Sequence, residues 1–238
     1  GGDSETLIGL AIRGRDRAKL FLTSKVSQAH LGRQEVFEAI EGSLRRLQTD
    51  YLDLYLIHAP DPATPLEVTF GALNELVERG ETRYIGVSNF DRGRLELATR
   101  LTHSLIATDQ VHYNLYVREP EKNGVLEYCQ AQDILLTAYS PLEHGQLLDN
   151  SVLREIAEAH EATSSQVALA WLMQKPQVIT IAQSINRAHQ RENLAAIDLT
   201  LSAEEMQRLD RLTEPVAQDD LVPSSRGPHH IHGPFAPE

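Results

Sequence analysis

The chain is 238 residues long, with 41% hydrophobic and 24% charged residues, 22 Lys and Arg against 34 Asp and Glu, and a net charge of −12. That length supports one large domain with a sizeable core, and the composition excludes a disordered chain. An excess of acid argues against a surface for nucleic acid or anionic membrane, because phosphates meet net repulsion.

Taken in order, the first element is a helix in GGDSETLIGLAIRG, with Asp3 or Ser4 as its cap and Leu7, Ile8 and Leu10 facing inward. Six short apolar runs follow: 20–26, 51–58, 83–89, 105–110, 134–140 and 178–184. They are rich in β-branched and aromatic residues and mostly end in a polar one, as buried parallel strands do. Between them, Val36, Ile40, Leu44 and Leu47 recur at helical spacing, as do Leu66, Phe70, Leu73 and Val77. Further helices are predicted over 91–101, 120–132, 151–161, 164–174, 187–196 and 202–212, the last opened by a Ser202–Glu205 capping box.

Strand and helix units repeating about every thirty residues imply an α/β fold with a parallel sheet. A closed barrel and an open doubly wound sheet both fit. No Gly-x-Gly-x-x-Gly follows a strand, which weakens the second. Six units are visible, whereas a (β/α)8 TIM-type barrel has eight, so the barrel is expected to be incomplete, lacking about its first two strand–helix units. The barrel domain is assigned to 1–212. From Thr213 to Glu238 the chain holds five prolines and the run HHIH, and it reads as an irregular tail with no strong metal-ligand spacing.

The single cysteine, Cys129, lies in a helical stretch and reads as a buried thiol in a reducing compartment. With no leader and no membrane-length apolar run, a cytoplasmic location is expected.

Barrel enzymes build their sites at the C-terminal ends of the strands. Lys25, His58, Ser88 with Asn89, Gln110, and Tyr139 with Ser140 close five of the six runs. Each has a dull explanation taken singly, but together they would converge on one mouth.

The segments LFLTSKV, LDLYLIHAP, YIGVSNF, QVHYN and AYSPL, in this order and spacing, resemble the aldo-keto reductases over nearly the whole chain except the tail. The resemblance implies reduction of aldehydes or ketones by NADP(H) or NAD(H), through an Asp, Tyr, Lys, His tetrad. Lys25 and His58 occupy the lysine and histidine positions. A lysine ammonium lowers the pKa of a neighbouring phenol, which then gives its proton to the carbonyl oxygen. Ser88, Asn89 and Gln110 match positions that bind the nicotinamide carboxamide, Tyr139 the ring that stacks on it, and Ser140 and Leu142 the loop near the pyrophosphate. At the adenosine end Gln183 and His189 stand where many members carry Lys and Arg, while Ser184, Glu192 and Asn193 match. That removes the obvious clamp on a 2′-phosphate. Arg187 and Arg191 are near in sequence, but helical spacing places them on other faces.

The family's tyrosine and aspartate are expected just upstream of Gly1, and neither is present. Tyr51, Tyr55 and Tyr84 belong to other strands. A fragment or wrong start, a decayed gene and a short form that only binds cofactor compete, and the intact downstream motifs favour the first. The alternative function is a non-catalytic cofactor-binding barrel resembling potassium-channel β subunits. A barrel enzyme acting on phosphorylated substrates is disfavoured by the absence of a glycine-rich phosphate loop. The expected partner is a small carbonyl compound.

Overall fold

The computed structural model describes residues 2–212. Six strands form one parallel sheet in sequential order: β1 (Thr23–Val26), β2 (Leu52–Ile57), β3 (Thr82–Ser88), β4 (Ile106–His112), β5 (Leu135–Tyr139) and β6 (Val178–Ile181). Each strand pairs with its sequence neighbour, so no order reversal exists to make a doubly wound switch point. This is the winding of a barrel wall. Among the described residues β1 and β6 each have one partner, and the sheet is open between them.

The helices lie on the outer side, which is why β2 is buried along its whole length. They are α1 (Asp3–Ala11), α2 (Arg33–Leu47), α3 (Leu66–Glu78), α4 (Arg92–Leu101), α5 (Glu119–Lys122), α6 (Val125–Ala131), α7 (Ser151–Ala159), α8 (Ser164–Met173), α9 (Arg187–Ala195) and α10 (Ala203–Asp210). Outward-facing Tyr55, Ile57, Ile85, Val87 and Leu136 meet Val36, Ile40, Phe70, Leu73 and Trp171 in one continuous core. Each such buried side chain contributes roughly 1.5–3 kcal/mol.

Across β1–β3 a buried carboxylate ties the strands together at their N-terminal ends. Asp53 accepts from the Leu22 amide at 2.8 Å and pairs with Arg17 at 2.8 Å and Arg83 at 3.0 Å.

Several expected boundaries shift. Helix α1 is capped by Gly2 in the left-handed region, not by Asp3 or Ser4, which lie inside its first turn. Its leucines do not face inward: Leu7, Ile8 and Leu10 are exposed, because the helix packs through Gly9, where an added Cβ would stand 2.4 Å from the Arg46 carbonyl. The helix expected over 120–132 divides at Gly124, whose φ of 79° breaks the run and starts α6. Strand β4 runs two residues past 110, and β6 stops at 181 rather than 184. The Ser202–Glu205 capping box forms as expected, and Thr163 with Gln166 forms a second. The tail from Thr213 lies outside the described residues.

Cys129 is fully buried, and burial pushes its thiol up to about 12, so it is no nucleophile. No helix among the described residues is long and apolar enough to cross a membrane, and they contain no cluster of metal-ligating side chains.

Candidate active site

Alternation along the strands decides which side chains reach the hollow side of the sheet. Lys25 is in register with Leu56, Leu56 with Gly86, Ser88 with Gln110, and His112 with Tyr139. All lie on the inner face, since Tyr55 and Ile57, one residue out of phase, join the helix-side core. The polar members stand at the C-terminal ends of their strands, where the chain leaves the sheet.

These side chains form one hydrogen-bonded network. Lys25 Nζ donates to Gln110 Oε1. Ser88 Oγ donates to the Gln110 carbonyl at 2.7 Å, and Asn89 Nδ2 donates to Ser88 Oγ at 3.1 Å and to the His58 carbonyl at 3.2 Å. Tyr139 donates its hydroxyl proton to Asn89 Oδ1 at 3.0 Å. Five strands are thereby cross-linked at one end of the sheet. Asn89 can serve several partners because its φ of 61° turns the chain sharply, a conformation asparagine tolerates better than most residues.

Burial shifts the titrating members in the directions expected of groups removed from water. It lowers the pKa of Lys25. It lowers that of His58 too, aided by the nearby Lys25 charge, so the imidazole is neutral at pH 7. It raises that of Tyr139, aided by Asp109 and Glu143, keeping the phenol protonated and able to donate.

Two residues of the network escaped the sequence reading. His112 stacks on the Tyr139 ring, with centroids 5.3 Å apart and planes 10° apart, and donates to Glu143 Oε2 at 2.8 Å. Asn114 donates to the Ser140 carbonyl at 3.0 Å. Together they hold the turn after β5, where Ser140, Glu143 and His144 all have positive φ. The period of two that put Gln110 on the inner face also puts His112 there, so that signal lay in the sequence. Leu142, in the same turn, is half-buried against the core, and His144 is exposed.

The other singled-out residues form a separate group beyond β6. Gln183 and His189 are exposed. Ser184 Oγ accepts from the Asn186 amide at 3.1 Å, and Asn186 caps α9. Glu192 accepts from the Thr163 hydroxyl at 2.6 Å, and Asn193 beside it is half-buried. Arg187 and Arg191 share another face of α9, where they line a shallow cavity of about 280 Å³ with Gln190 and Leu194. No hydrogen bond joins this group to the strand-end network among the described residues.

A planar ring bearing a carboxamide fits the strand-end arrangement. Ser88, Asn89 and Gln110 offer both donors and acceptors beside the Tyr139 side chain, whose hydroxyl bonds Asn89, and Gly86 lets β3 approach the Thr108 carbonyl, from which an added Cβ would stand 2.9 Å away. A carboxamide needs that pairing, because it is itself both donor and acceptor.

The sequence profile of the Aldo/keto reductase family matches residues 1–214. Glyoxal reductase of Bacillus subtilis is 41% identical over 207 residues, an alignment covering 87% of this chain and 73% of that protein. Among solved structures, a thermostable aldo-keto reductase crystallised with the inhibitor epalrestat is 48% identical with a TM-score of 0.86, over 88% of this chain and 77% of that one. An aldo/keto reductase from Klebsiella pneumoniae, crystallised with NADP and acetate, is 39% identical with a TM-score of 0.82, over 88% and 75% of the two chains.

Proposed function

The chain belongs to the aldo/keto reductase family, and from that premise we propose that it reduces small aldehydes and ketones with a nicotinamide cofactor, NADP(H) or NAD(H). The observation that carries this reading is the single network joining Lys25, Gln110, Ser88, Asn89 and Tyr139 at the C-terminal ends of neighbouring strands. A nicotinamide cofactor held there would supply the hydride for the carbonyl carbon.

The chain's own residues then bind and orient. Ser88, Asn89 and Gln110 grip the carboxamide and fix which face of the ring meets the substrate. Tyr139 gives that ring a flat surface, which contributes dispersion without demanding one partner atom. Neutral His58 donates a hydrogen bond to the substrate's carbonyl oxygen and aims it. Lys25, as a cation, favours the anionic form of a phenol placed beside it. Ser140 and Leu142 flank the pyrophosphate, and Ser184, Glu192 and Asn193 hold the adenosine. Gln183 and His189, in place of two fixed cations, leave the 2′-phosphate without a permanent clamp, which makes NAD(H) a competent partner.

The finer part of the proposal is a (β/α)8 barrel of which residues 1–212 supply the last six strand–helix units. Its proton-donating tyrosine and aspartate would then come from a preceding segment. Supporting this, Tyr139 is the tyrosine that joins the network among the described residues, and its hydroxyl is committed to Asn89. We take 1,2-dicarbonyl aldehydes as the first substrates to try, a reading supported by the likeness to a protein named glyoxal reductase.

The test compares the 238-residue chain with a form extended by its upstream coding sequence. Both should bind NADPH or NADH by calorimetry, and the extended form should oxidise reduced cofactor with glyoxal, methylglyoxal or simple aldehydes. A folded, cofactor-bound extended form silent across the panel would instead favour a non-catalytic binding subunit.

A further inference from the structure

A cleft of about 650 Å³ lies between the C-terminal ends of α1 and α2. Leu20 on its wall leads into β1, and Thr49 and Asp50 lead into β2, so the cleft opens at the N-terminal ends of the strands. The hydrogen-bonded network of Lys25, Ser88, Asn89, Gln110 and Tyr139 stands at the opposite ends, and the two share no residue. The wall uses the side of α1 turned to α2, where Gly9 brings the backbone against the Arg46 carbonyl.

Arg13, Arg15, Arg17 and Arg45 line this cleft. Arg17 is committed: it donates to the Thr49 hydroxyl and to the Leu20 and Tyr51 carbonyls, and pairs with Asp53 at 2.8 Å. The other three are exposed and make no ion pair among the described residues. Arg13 Nε donates to the neutral Gln48 Oε1 at 2.9 Å, and Arg15 Nε to the Ala11 carbonyl at 3.2 Å. Each bond uses one of five guanidinium donors and leaves the terminal nitrogens uncommitted. Elsewhere on this acidic chain Arg33 and Arg79 rest on Glu75, and Arg208 rests on Glu155. The one carboxylate on the cleft wall, Asp50, pairs with none of its arginines among the described residues. A helix C-terminus attracts cations, which by itself accounts for Arg45 in the last turn of α2. It does not call for three, because the final carbonyls are already satisfied. Ile8 accepts from the Ile12 amide, and Leu44 accepts from those of Gln48 and Thr49.

We propose that this cleft binds a small organic phosphate monoester, its phosphate held by Arg13, Arg15 and Arg45. Three uncommitted guanidiniums against one carboxylate leave the positive surplus that a phosphate dianion neutralises, and each planar fork offers paired N–H groups to its oxygens. Gly14, with φ of 72° and open space where a Cβ would stand, turns the chain between Arg13 and Arg15 so that both line the same cleft. A bare phosphate leaves most of that volume empty. Half-buried Ile12, Leu20 and Leu44 supply an aliphatic wall for the organic body of the ester. This site goes beyond the reductase reading, since it involves neither a carbonyl nor a nicotinamide.

The test is calorimetric titration of the full 238-residue chain at fixed ionic strength, without nicotinamide, at about pH 7.5, where a phosphate monoester is a dianion. The probes are inorganic phosphate, glucose 6-phosphate and AMP. One ester should bind about tenfold more tightly than inorganic phosphate, and which one tells a sugar from a nucleoside body. Arg13→Gln/Arg45→Gln, checked for folding by circular dichroism, should weaken that ester about tenfold or more. Arg100→Gln/Arg154→Gln removes the same charge from α4 and α7 and should leave the affinity within about twofold. Asp50→Asn leaves every arginine in place and should tighten binding about threefold by removing the opposing charge. Esters that bind no better than inorganic phosphate overturn the proposal, as does binding that is insensitive to Arg13 and Arg45 or unchanged in Asp50→Asn. Since no carbonyl or nicotinamide is present, failure here and failure of carbonyl reduction are separate results.

Discussion

The rings of Tyr139 and His112 lie face to face, 5.3 Å between centroids and 10° between planes, and His112 is itself held by Glu143 at 2.8 Å. One face of the tyrosine ring is thus backed by a second ring anchored in the turn after β5. The other face is set by that backing.

If Tyr139 is the platform for nicotinamide, His112→Ala should weaken cofactor binding about 2- to 13-fold, the equivalent of an aromatic pair worth about 0.5–1.5 kcal/mol. His112→Phe keeps the stack while losing the Glu143 bond, and it should recover most of the affinity. Calorimetric titration with NADPH decides it, and an alanine variant binding as the unaltered chain does would remove His112 from the platform.

Asn89 combines three side-chain hydrogen bonds with a positive φ, and the two contributions are separable. Asn89→Ala loses the bonds and leaves a Cβ in the left-handed region, so it should destabilise by about 2–4 kcal/mol. Asn89→Gly loses the same bonds without the backbone cost and should be less damaging by about 1 kcal/mol. Urea unfolding of the pair gives the difference directly. Equal midpoints would show that the φ value carries no strain.

Asp109 faces the helix side of β4, fully buried, with neither carboxylate oxygen hydrogen-bonded among the described residues. Burial pushes its pKa from 3.8 up to about 8. The folded state therefore keeps a proton that the unfolded state releases above pH 4. Stability from this group is complete below pH 4 and falls as pH rises towards 8, by about 1.4 kcal/mol per unit. Asp109→Asn should flatten that slope, seen as a difference between variant and parent that favours the variant increasingly from pH 5 to pH 8. Parallel pH profiles would show that Asp109 ionises normally in the folded chain.

Trp171 is buried on α8, with Lys175 Nζ 4.3 Å and Arg118 Cζ 4.7 Å from its ring centroid, and its indole N–H donates to Asp210 at 2.9 Å. It thereby fastens α10 to the barrel wall. Trp171→Phe keeps a ring but deletes that donor, and it should cost about 1–3 kcal/mol by denaturant unfolding followed by circular dichroism. An unchanged midpoint would mean that Asp210 is satisfied by its cations alone.

Much of this was legible in the sequence for a plain reason. Buried parallel strands are continuous apolar runs, and polar residues at or next to the end of a run mark the exit from the sheet, so Lys25, His58, Asn89 and Tyr139 stand out. His112 lies beyond the apolar run 105–110, although Val111 and His112 continue the ladder opposite Ala138 and Tyr139. Glu143 and Asn114 carried no such mark. Their roles arise where two loops meet, which no local pattern encodes. Leu7, Ile8 and Leu10 misled for the opposite reason, since apolar spacing predicts a buried face but not what covers it. The close backbone approach at Gly9 turned α1 another way.

The lone thiol of Cys129, sealed in the core with its proton held to about pH 12, also makes the chain a natural clock for its own opening. An alkylating reagent finds nothing to attack at neutral pH until α6 lifts from the sheet, so mass gained over time counts exposure events. The same silence leaves the background blank for reporter cysteines engineered elsewhere in the molecule.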